Sequence, residues 1–337
     1  MFTNLQGLRA FAAISVMLFH FALTPATNLP LKIGAFGVDL FFVLSGFIIA
    51  HSASQRSRHF LAHRLIRVVP PYWIATMLAV LFTLPKLSAS AAAGWFLQSL
   101  FYLPGPGGRP ALIFVAWTLV YELAFYLLYW LALRLGARRA PYACLPLLAI
   151  FAFVPLPQSI GPWPLLVEFA LGISIYLLAE RGAALGSVPG WAGLLLAAVG
   201  LVLLLTMPML TGYSPDDYQS ARRVLSWGLP AAAVILGLVV AEQRGLAIRS
   251  RAVLLLGAAS YAIYLLHPIA VGQLLQMPPK PAPLSWLTCL AASGVTIGVS
   301  IAFYLLIEAP LLRRLRGLLR DRPPVVDQAL PIAVEGR

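Results

Sequence analysis

Apolar runs of close to twenty residues recur along most of this 337-residue chain, and they limit its possible folds more than any other feature. Such a run has the length that an α-helix needs to cross the hydrocarbon core of a bilayer. A soluble protein would show amphipathic stripes instead. With 61% hydrophobic and only 10% charged residues, the chain could not cover a surface facing water. The sequence therefore predicts an all-α, polytopic membrane protein.

We predict about ten transmembrane helices. They cover approximately residues 5–24, 34–51, 71–86, 111–135, 142–158, 163–180, 190–209, 221–241, 252–274 and 284–307. Residues 91–103 are apolar but too short to span, which favours a re-entrant or interfacial segment. Residues 1–312 then form one membrane domain, and residues 313–337 form a basic cytoplasmic tail that we expect to be largely disordered.

The basic residues give an orientation for these spans. The 24 Lys and Arg residues divide eighteen to six between the two sides of the membrane. The positive-inside rule then predicts that both termini are cytoplasmic. The same distribution accounts for the net charge of +13 without a nucleic-acid partner. Cys144 and Cys289 both fall within predicted spans, so a disulfide framework is not expected.

Residues 4–45 read as a helical hairpin with ionisable residues in apolar surroundings, namely Arg9, His20 and Asp39. An unpaired charge at such a depth is costly, so these residues are functional candidates. Arg9 and His20 are eleven positions apart, which places them on one helix face with about 16 Å of axial separation. Asp39 is expected at a depth similar to that of His20, where a carboxylate would orient an imidazole base.

Two arginines stand in the basic segment that precedes the third span. Arg64 and Arg67 are three positions apart and share a helix face, and the span itself is expected to begin at Pro70 and Pro71. One interpretation is a juxtamembrane amphipathic helix that neutralises anionic lipid head groups. The other is a phosphate site for an anionic cofactor, because arginine binds phosphate through a bidentate fork.

The fourth span carries Glu122 near its middle. A carboxylate at that depth must be protonated, paired or facing water, so Glu122 is a functional candidate. The aromatic residues at helical spacing around it, Tyr121 among them, are explained by packing at least as well as by a cofactor site.

The ninth span carries Ser260, Tyr261 and His267. His267 is either a hydrogen-bonded packing residue or part of a cavity. Pro268, which follows it, frees a backbone carbonyl and so favours a kink and the cavity interpretation.

Six segments, in order, resemble the signatures of the membrane acyltransferase-3 family. They are NLQGLRAFAAISVMLFH, GVDLFFVLSGFII, FLAHRLIRVVPPYW, WTLVYELAFYL, SYAIYLLHP and IEAP. The first contains the family's Arg followed by His, matched here by Arg9 and His20. Where the family often has two adjacent arginines, this chain has His63 and Arg64.

The resemblance implies a membrane O-acyltransferase of the bacterial cytoplasmic (inner) membrane with an acyltransferase-3 fold. Its donor would be cytoplasmic acyl-CoA, usually acetyl-CoA. Its acceptor would be a hydroxyl of a cell-surface glycan, such as exopolysaccharide or lipopolysaccharide, or of its lipid-linked precursor. No metal is expected. The resemblance implies no particular oligomeric state.

The resemblance also suggests residue roles. His20 would be the essential histidine and Arg9 its motif partner, with Arg64 and Arg67 at the CoA phosphates. From the chemistry of acyl transfer, we expect His20 to take the acceptor proton while Asp39 fixes its tautomer, or else to carry the acyl group transiently. A set of five residues is expected to line the acceptor or channel side: Glu122, Tyr121, Ser260, Tyr261 and His267.

Three other functions fit parts of the sequence. Buried ionisable residues also suit the proton relay of a glycan-precursor transporter or flippase, although no related halves are visible in the chain. Acylation of a small molecule such as a macrolide would use the same signatures. A scaffold for a polysaccharide export complex would have no need of the intramembrane charges.

Overall fold

The computed structural model describes residues 2–30, 34–55, 59–83, 89–103, 110–153, 163–180, 187–214 and 220–319. Within these ranges the chain forms fourteen α-helices and no strand. The helices are α1 Thr3–Ala22, α2 Gly37–Gln55, α3 Phe60–Thr83, α4 Ala89–Leu100, α5 Trp117–Ala132, α6 Ala140–Phe153, α7 Leu166–Glu180, α8 Gly190–Thr211, α9 Ala221–Arg223, α10 Leu229–Gln243, α11 Arg251–Ala258, α12 Ser260–Leu274, α13 Ala282–Phe303 and α14 Ala309–Leu318.

The prediction of an all-α polytopic membrane protein is confirmed. Seven of the described helical segments are long and apolar enough to cross a membrane, and α11 with α12 makes an eighth if this bent pair is one span. The fifth and sixth predicted spans coincide with α6 and α7, which have 14 and 15 residues. Residues 154–162 between them lie outside the described residues. The count of ten spans therefore stays a prediction.

The third helix begins earlier than expected. We predicted a start at Pro70 and Pro71, and this is wrong because α3 begins at Phe60 and contains both prolines. Proline removes a helical N–H donor, but here the helix continues through it. Arg64 and Arg67 consequently lie on the same helix as the membrane-spanning part of α3, which restricts where their side chains can reach.

The short apolar segment forms α4, which lies back along α3. Tyr72 Oη donates to the carbonyl of Ser99 at 2.5 Å, and Trp73 Nε1 donates to the carbonyl of Leu100 at 3.1 Å. Tyr72 is eleven residues, or about 16 Å, from the end of α3 at Thr83. An approach that far along the neighbouring helix favours the re-entrant over the interfacial interpretation.

The last two predicted spans depart from straight helices. The ninth bends by 63° at the junction of α11 and α12, next to Ala259, rather than at Pro268, which lies inside α12. The tenth continues from α13 through a π-helix, Tyr304–Glu308, into α14. This helix passes residue 312 and ends at Leu318. Most of the predicted disordered tail, residues 320–337, lies outside the described residues, so its disorder stays a prediction.

Two glycines let α2 and α7 cross with their backbones in contact. A Cβ atom added at Gly46 would lie 2.2 Å from the carbonyl oxygen of Phe169, and one added at Gly172 would lie 2.0 Å from that of Val43. No side chain fits at either position. This crossing brings Phe42 and Phe169 into the apolar core around α2, α5 and α7, which supports one wall of the site.

Candidate active site

Helices α1 and α12 run side by side in the same direction and carry half of the ten predicted site residues. Arg9 Nε donates to Ser260 Oγ at 3.2 Å near the start of both helices. Farther along, His267 Nε2 lies 3.2 Å from His20 Nδ1. The expectation that Arg9 and His20 share one face of α1 is confirmed, since both contact α12.

A cavity of about 110 Å³ lies among α1, α2, α3, α5 and α12. Six of the predicted site residues line it: Arg9, Arg64, Arg67, Glu122, Ser260 and Tyr261. Ser45, Thr118, Tyr126 and Tyr264 add hydroxyl groups to its wall. Three arginines against one carboxylate give the cavity a positive character, so its chemistry suits an anion.

Arg67 and Arg64 are held by contacts from other helices. Arg67 Nη1 forms a salt bridge with Glu308 Oε1 at 2.8 Å, and its guanidinium lies 5.8 Å from the centre of the Tyr261 ring. Arg64 donates from Nη2 to Ser52 Oγ. Both arginines line the cavity, so neutralising lipid head groups alone does not account for their positions. Glu308, which we had not placed in the site, thus joins α3 to the C-terminal helix.

Glu122 and Tyr121 face different surroundings although they are neighbours in α5. Glu122 lines the cavity and accepts a hydrogen bond from Tyr126 Oη, one helical turn away. The Tyr121 ring instead packs against Trp163 and Phe42, with ring centres 4.9 and 5.8 Å away. Tyr121 does not line the cavity, which agrees with packing rather than with the channel role that we assigned to it.

The two histidines contact each other, and their backbone contacts indicate the tautomer of each ring. His20 Nδ1 lies 2.9 Å from the carbonyl oxygen of Val16, and His267 Nδ1 lies 3.2 Å from that of Ile263. A carbonyl oxygen can only accept, so both rings must carry hydrogen on Nδ1. The Nδ1–H of His20 then has two acceptors, the carbonyl oxygen of Val16 and the lone pair on His267 Nε2. In the neutral ring, Nε2 of His20 is then the unprotonated nitrogen, and no described residue hydrogen-bonds to it.

Tyr264 separates the cavity from the histidine pair. It lines the cavity, and its ring centre is 5.7 Å from that of His267. Its hydroxyl is 2.7 Å from Thr118 Oγ1 and donates to the carbonyl of Val115 at 3.2 Å. Phe114, in the 3-10 turn before α5, covers the other side of His20 with ring centres 4.9 Å apart. The cavity and the pair are thus neighbours with one aromatic layer between them.

The predicted contact between Asp39 and His20 is wrong. Asp39 is fully buried and accepts two hydrogen bonds from Arg223, from Nε to Oδ1 and from Nη2 to Oδ2, both at 2.8 Å. The Arg223 guanidinium also lies 5.2 Å from the centre of the Trp227 ring. Because the guanidinium binds both carboxylate oxygens, Asp39 is oriented toward Arg223 of α9.

Arg223 and Glu308 are the residues that sequence reasoning missed. Arg223 falls at the start of the eighth predicted span, and the buried carboxylate of Asp39 was the signal that an arginine partner was needed. Glu308 lies just beyond the tenth predicted span, and the sequence assigned it no partner. In both cases the partner lies more than 180 residues away in the chain.

These features together define a multi-pass membrane protein with an arginine-lined cavity beside a pair of histidines. The family model described as an acyltransferase domain matches residues 2–305, and the chain belongs to this acyltransferase-3 family. It is an acyltransferase that transfers groups other than aminoacyl groups.

Similar proteins include the exopolysaccharide production protein ExoZ of Rhizobium meliloti, 32% identical over 89% of this chain and 96% of that protein. The acyltransferase MdmB of Streptomyces mycarofaciens is 27% identical over 97% of this chain and 96% of that protein. The peptidoglycan O-acetyltransferase OatA of Listeria monocytogenes is 28% identical over 37% of this chain and 23% of that protein. No solved structure matches the chain.

Proposed function

We propose that this protein transfers an acyl group, in the simplest case acetyl, from cytoplasmic acyl-CoA to a hydroxyl of an exopolysaccharide or of its lipid-linked precursor. One observation carries the proposal. The arginine-lined cavity and the His20–His267 pair both lie along α1 and α12, and Tyr264 contacts both of them.

The donor part of the proposal depends on the arginines. Arg64 and Arg67 stand near the start of α3, which is the cytoplasmic end if the positive-inside rule holds for this chain. Guanidinium groups bind phosphate oxygens in charge-assisted pairs, so these two residues would hold the phosphates of CoA. Arg9 and His20, on one face of α1, are about 16 Å apart along the axis. An extended pantetheine arm can cover a distance of that order.

The transfer step is assigned to His20. Its Nε2 takes the proton from the acceptor hydroxyl, and the oxygen forms a bond to the acyl carbonyl carbon as the C–S bond breaks. The proton then leaves with the CoA thiol. When bound, acyl-CoA supplies an activated carbonyl with a good leaving group. Arg223 holds Asp39 away from this step, so we now propose a structural role for Asp39.

The acceptor is proposed from similarity. ExoZ, whose name links it to exopolysaccharide production, aligns with this chain over 96% of its own length. The name of OatA supports O-acetylation, although that alignment covers 37% of this chain. A polysaccharide hydroxyl is therefore the acceptor class that we assign.

The test is release of free CoA from labelled acetyl-CoA by the purified protein in lipid nanodiscs, with and without exopolysaccharide precursor. We expect acceptor-dependent release, and a loss of about 100-fold or more in kcat for His20→Asn, as for removal of a general base. His59→Asn is the matched control. His59 is exposed and has a φ of 54°, a conformation that asparagine tolerates.

Two results would contradict the proposal. A wild-type protein that moves the precursor across a membrane without releasing CoA would be a carrier. Full acyl transfer by His20→Asn, with expression equal to that of the control, would remove His20 from the chemistry.

A further inference from the structure

The partner of His20 is another histidine rather than a carboxylate. His267 is fully buried, and its ring is nearly parallel to that of His20, with an interplanar angle of 29° and centres 5.1 Å apart. Its Nδ1–H is directed to the carbonyl of Ile263 in its own helix. Since one nitrogen of His267 is thereby fixed as a donor, the other, Nε2, is fixed as an acceptor toward His20.

This arrangement removes an ambiguity that a single histidine would have. A neutral imidazole can carry its hydrogen on either nitrogen, and only one of the two tautomers leaves Nε2 as a base. For His20, the acceptors on the Nδ1 side are Val16 O and His267 Nε2. Both favour the Nδ1–H tautomer.

We propose that His267 is the positioning residue of the acyl transfer. Its Nε2 accepts Nδ1–H of His20, holds His20 in the tautomer with a basic Nε2, and stabilises the imidazolium that forms when His20 takes the acceptor proton. This inference depends on the proposed function, because it assigns a partner to the base that the proposed function names.

A neutral acceptor suits the location of this pair. An ionised carboxylate beside His20 would place another charge inside the bilayer, where it costs free energy unless it is paired. In this fold the carboxylate of Asp39, which the sequence suggested as the partner of His20, is paired with Arg223. A histidine pair carries no charge at rest and gains a single positive charge during the reaction, shared across one hydrogen bond.

The test compares two variants that fill the same buried space. His267→Gln retains a side-chain oxygen that can accept from His20, whereas His267→Leu retains none. We expect His267→Leu to lower kcat by about 100-fold, with the KM for acetyl-CoA changed by less than about threefold. His267→Gln should recover at least about tenfold of that loss. Gln276→Leu, at an exposed position just after α12, is the matched control for a polar-to-leucine change and should behave as wild type.

A second measurement does not need a variant to fold. The chain has five histidines, so the protein labelled with ¹⁵N in histidine gives five imidazoles to assign. We expect the ¹⁵N shifts of His20 to report the Nδ1–H tautomer. An Nε2–H tautomer, or equal losses of kcat in the two His267 variants, would overturn the inference. Wild-type protein that releases no CoA would instead overturn the proposed function, so the two failures are distinct.

Discussion

Three pairs of ionisable side chains inside this protein join distant parts of the chain. Arg223 binds Asp39, Arg67 binds Glu308, and His20 contacts His267, each pair separated by more than 180 residues. Removing one member of such a pair leaves the other charge or acceptor buried without compensation, which costs more than the pair itself contributes. This asymmetry makes the pairs testable one member at a time.

Asp39 offers the first test, because its contacts point to a structural role. Asp39→Asn should deprive the buried Arg223 of the carboxylate that accepts two of its hydrogen bonds and lower the free energy of unfolding by about 3–5 kcal/mol. The double variant Asp39→Asn with Arg223→Gln should regain much of that loss. Thermal unfolding in detergent measures both. Unchanged stability with lost activity in Asp39→Asn would instead assign Asp39 to the chemistry.

Arg67 offers a test of the donor site. Changing Arg67 alone would leave Glu308 unpaired, so the informative variant is Arg67→Gln combined with Glu308→Gln, which removes both charges. Loss of a charge-assisted bond to phosphate is worth about 1.5–3 kcal/mol, so the KM for acetyl-CoA should rise by about tenfold or more. Arg138→Gln, at an exposed position on the same predicted side of the membrane, is the control. An equal KM in all three proteins would place the phosphates elsewhere.

At the scale of helices, close backbone crossings rather than long apolar stripes determine how the helices pack against one another. The α2–α7 crossing depends on Gly46 and Gly172, where an added Cβ would overlap backbone atoms. The neighbouring helix cannot yield easily because the obstacle is main chain. Overpacking of this kind costs about 1–3 kcal/mol.

Gly172→Ala should therefore lower the melting temperature and the yield of folded protein. Gly294→Ala, in α13, is the matched control, since an added Cβ there meets no atom within 4 Å. Fluorescence-detected size exclusion of the two variants after a heat step makes the comparison. A Gly172→Ala protein as stable as Gly294→Ala would mean that α2 and α7 do not cross as described.

For the whole molecule, the open question is orientation. The loop between α10 and α11 and the turn after α12 lie on opposite sides of the bent α11–α12 pair, and Ala247 and Gln276 are exposed at these places. In intact cells, a membrane-impermeant thiol reagent should label Gln276→Cys but not Ala247→Cys. Cys144 and Cys289 are buried, so the native background is low. Labelling of Ala247→Cys alone would reverse the predicted orientation.

Much of the fold could be predicted from the sequence because hydropathy and length identify membrane helices without knowledge of their neighbours. The same local information placed Arg9 and His20 on one face of α1. It could not assign the partner of Asp39, because hydropathy does not say which helices touch. Nor could it predict that α3 begins at Phe60. Two adjacent prolines normally indicate a helix start, and only tertiary contacts allow the helix to continue through them.

The sequence predicted which residues belong to the site better than it predicted how they are arranged. Glu122, Ser260 and Tyr261 do line the cavity with the arginines, since intramembrane polar residues gather where they can be paired. Tyr121 does not, because its side of α5 is set by Phe42 and Trp163. The contact between His20 and His267 depends on the parallel packing of α1 and α12, which no local pattern encodes.

The distance along the chain between His20 and His267 also has a consequence for biosynthesis. The ribosome makes the first histidine at the beginning of translation and the second after about four fifths of the polypeptide. A nascent chain inserted up to α10 would already contain Arg9, Arg64 and Arg67, yet His20 would lack the contact from His267. If His267 positions His20 as we propose, full acyl transfer requires that the insertion machinery has first released α12 beside α1.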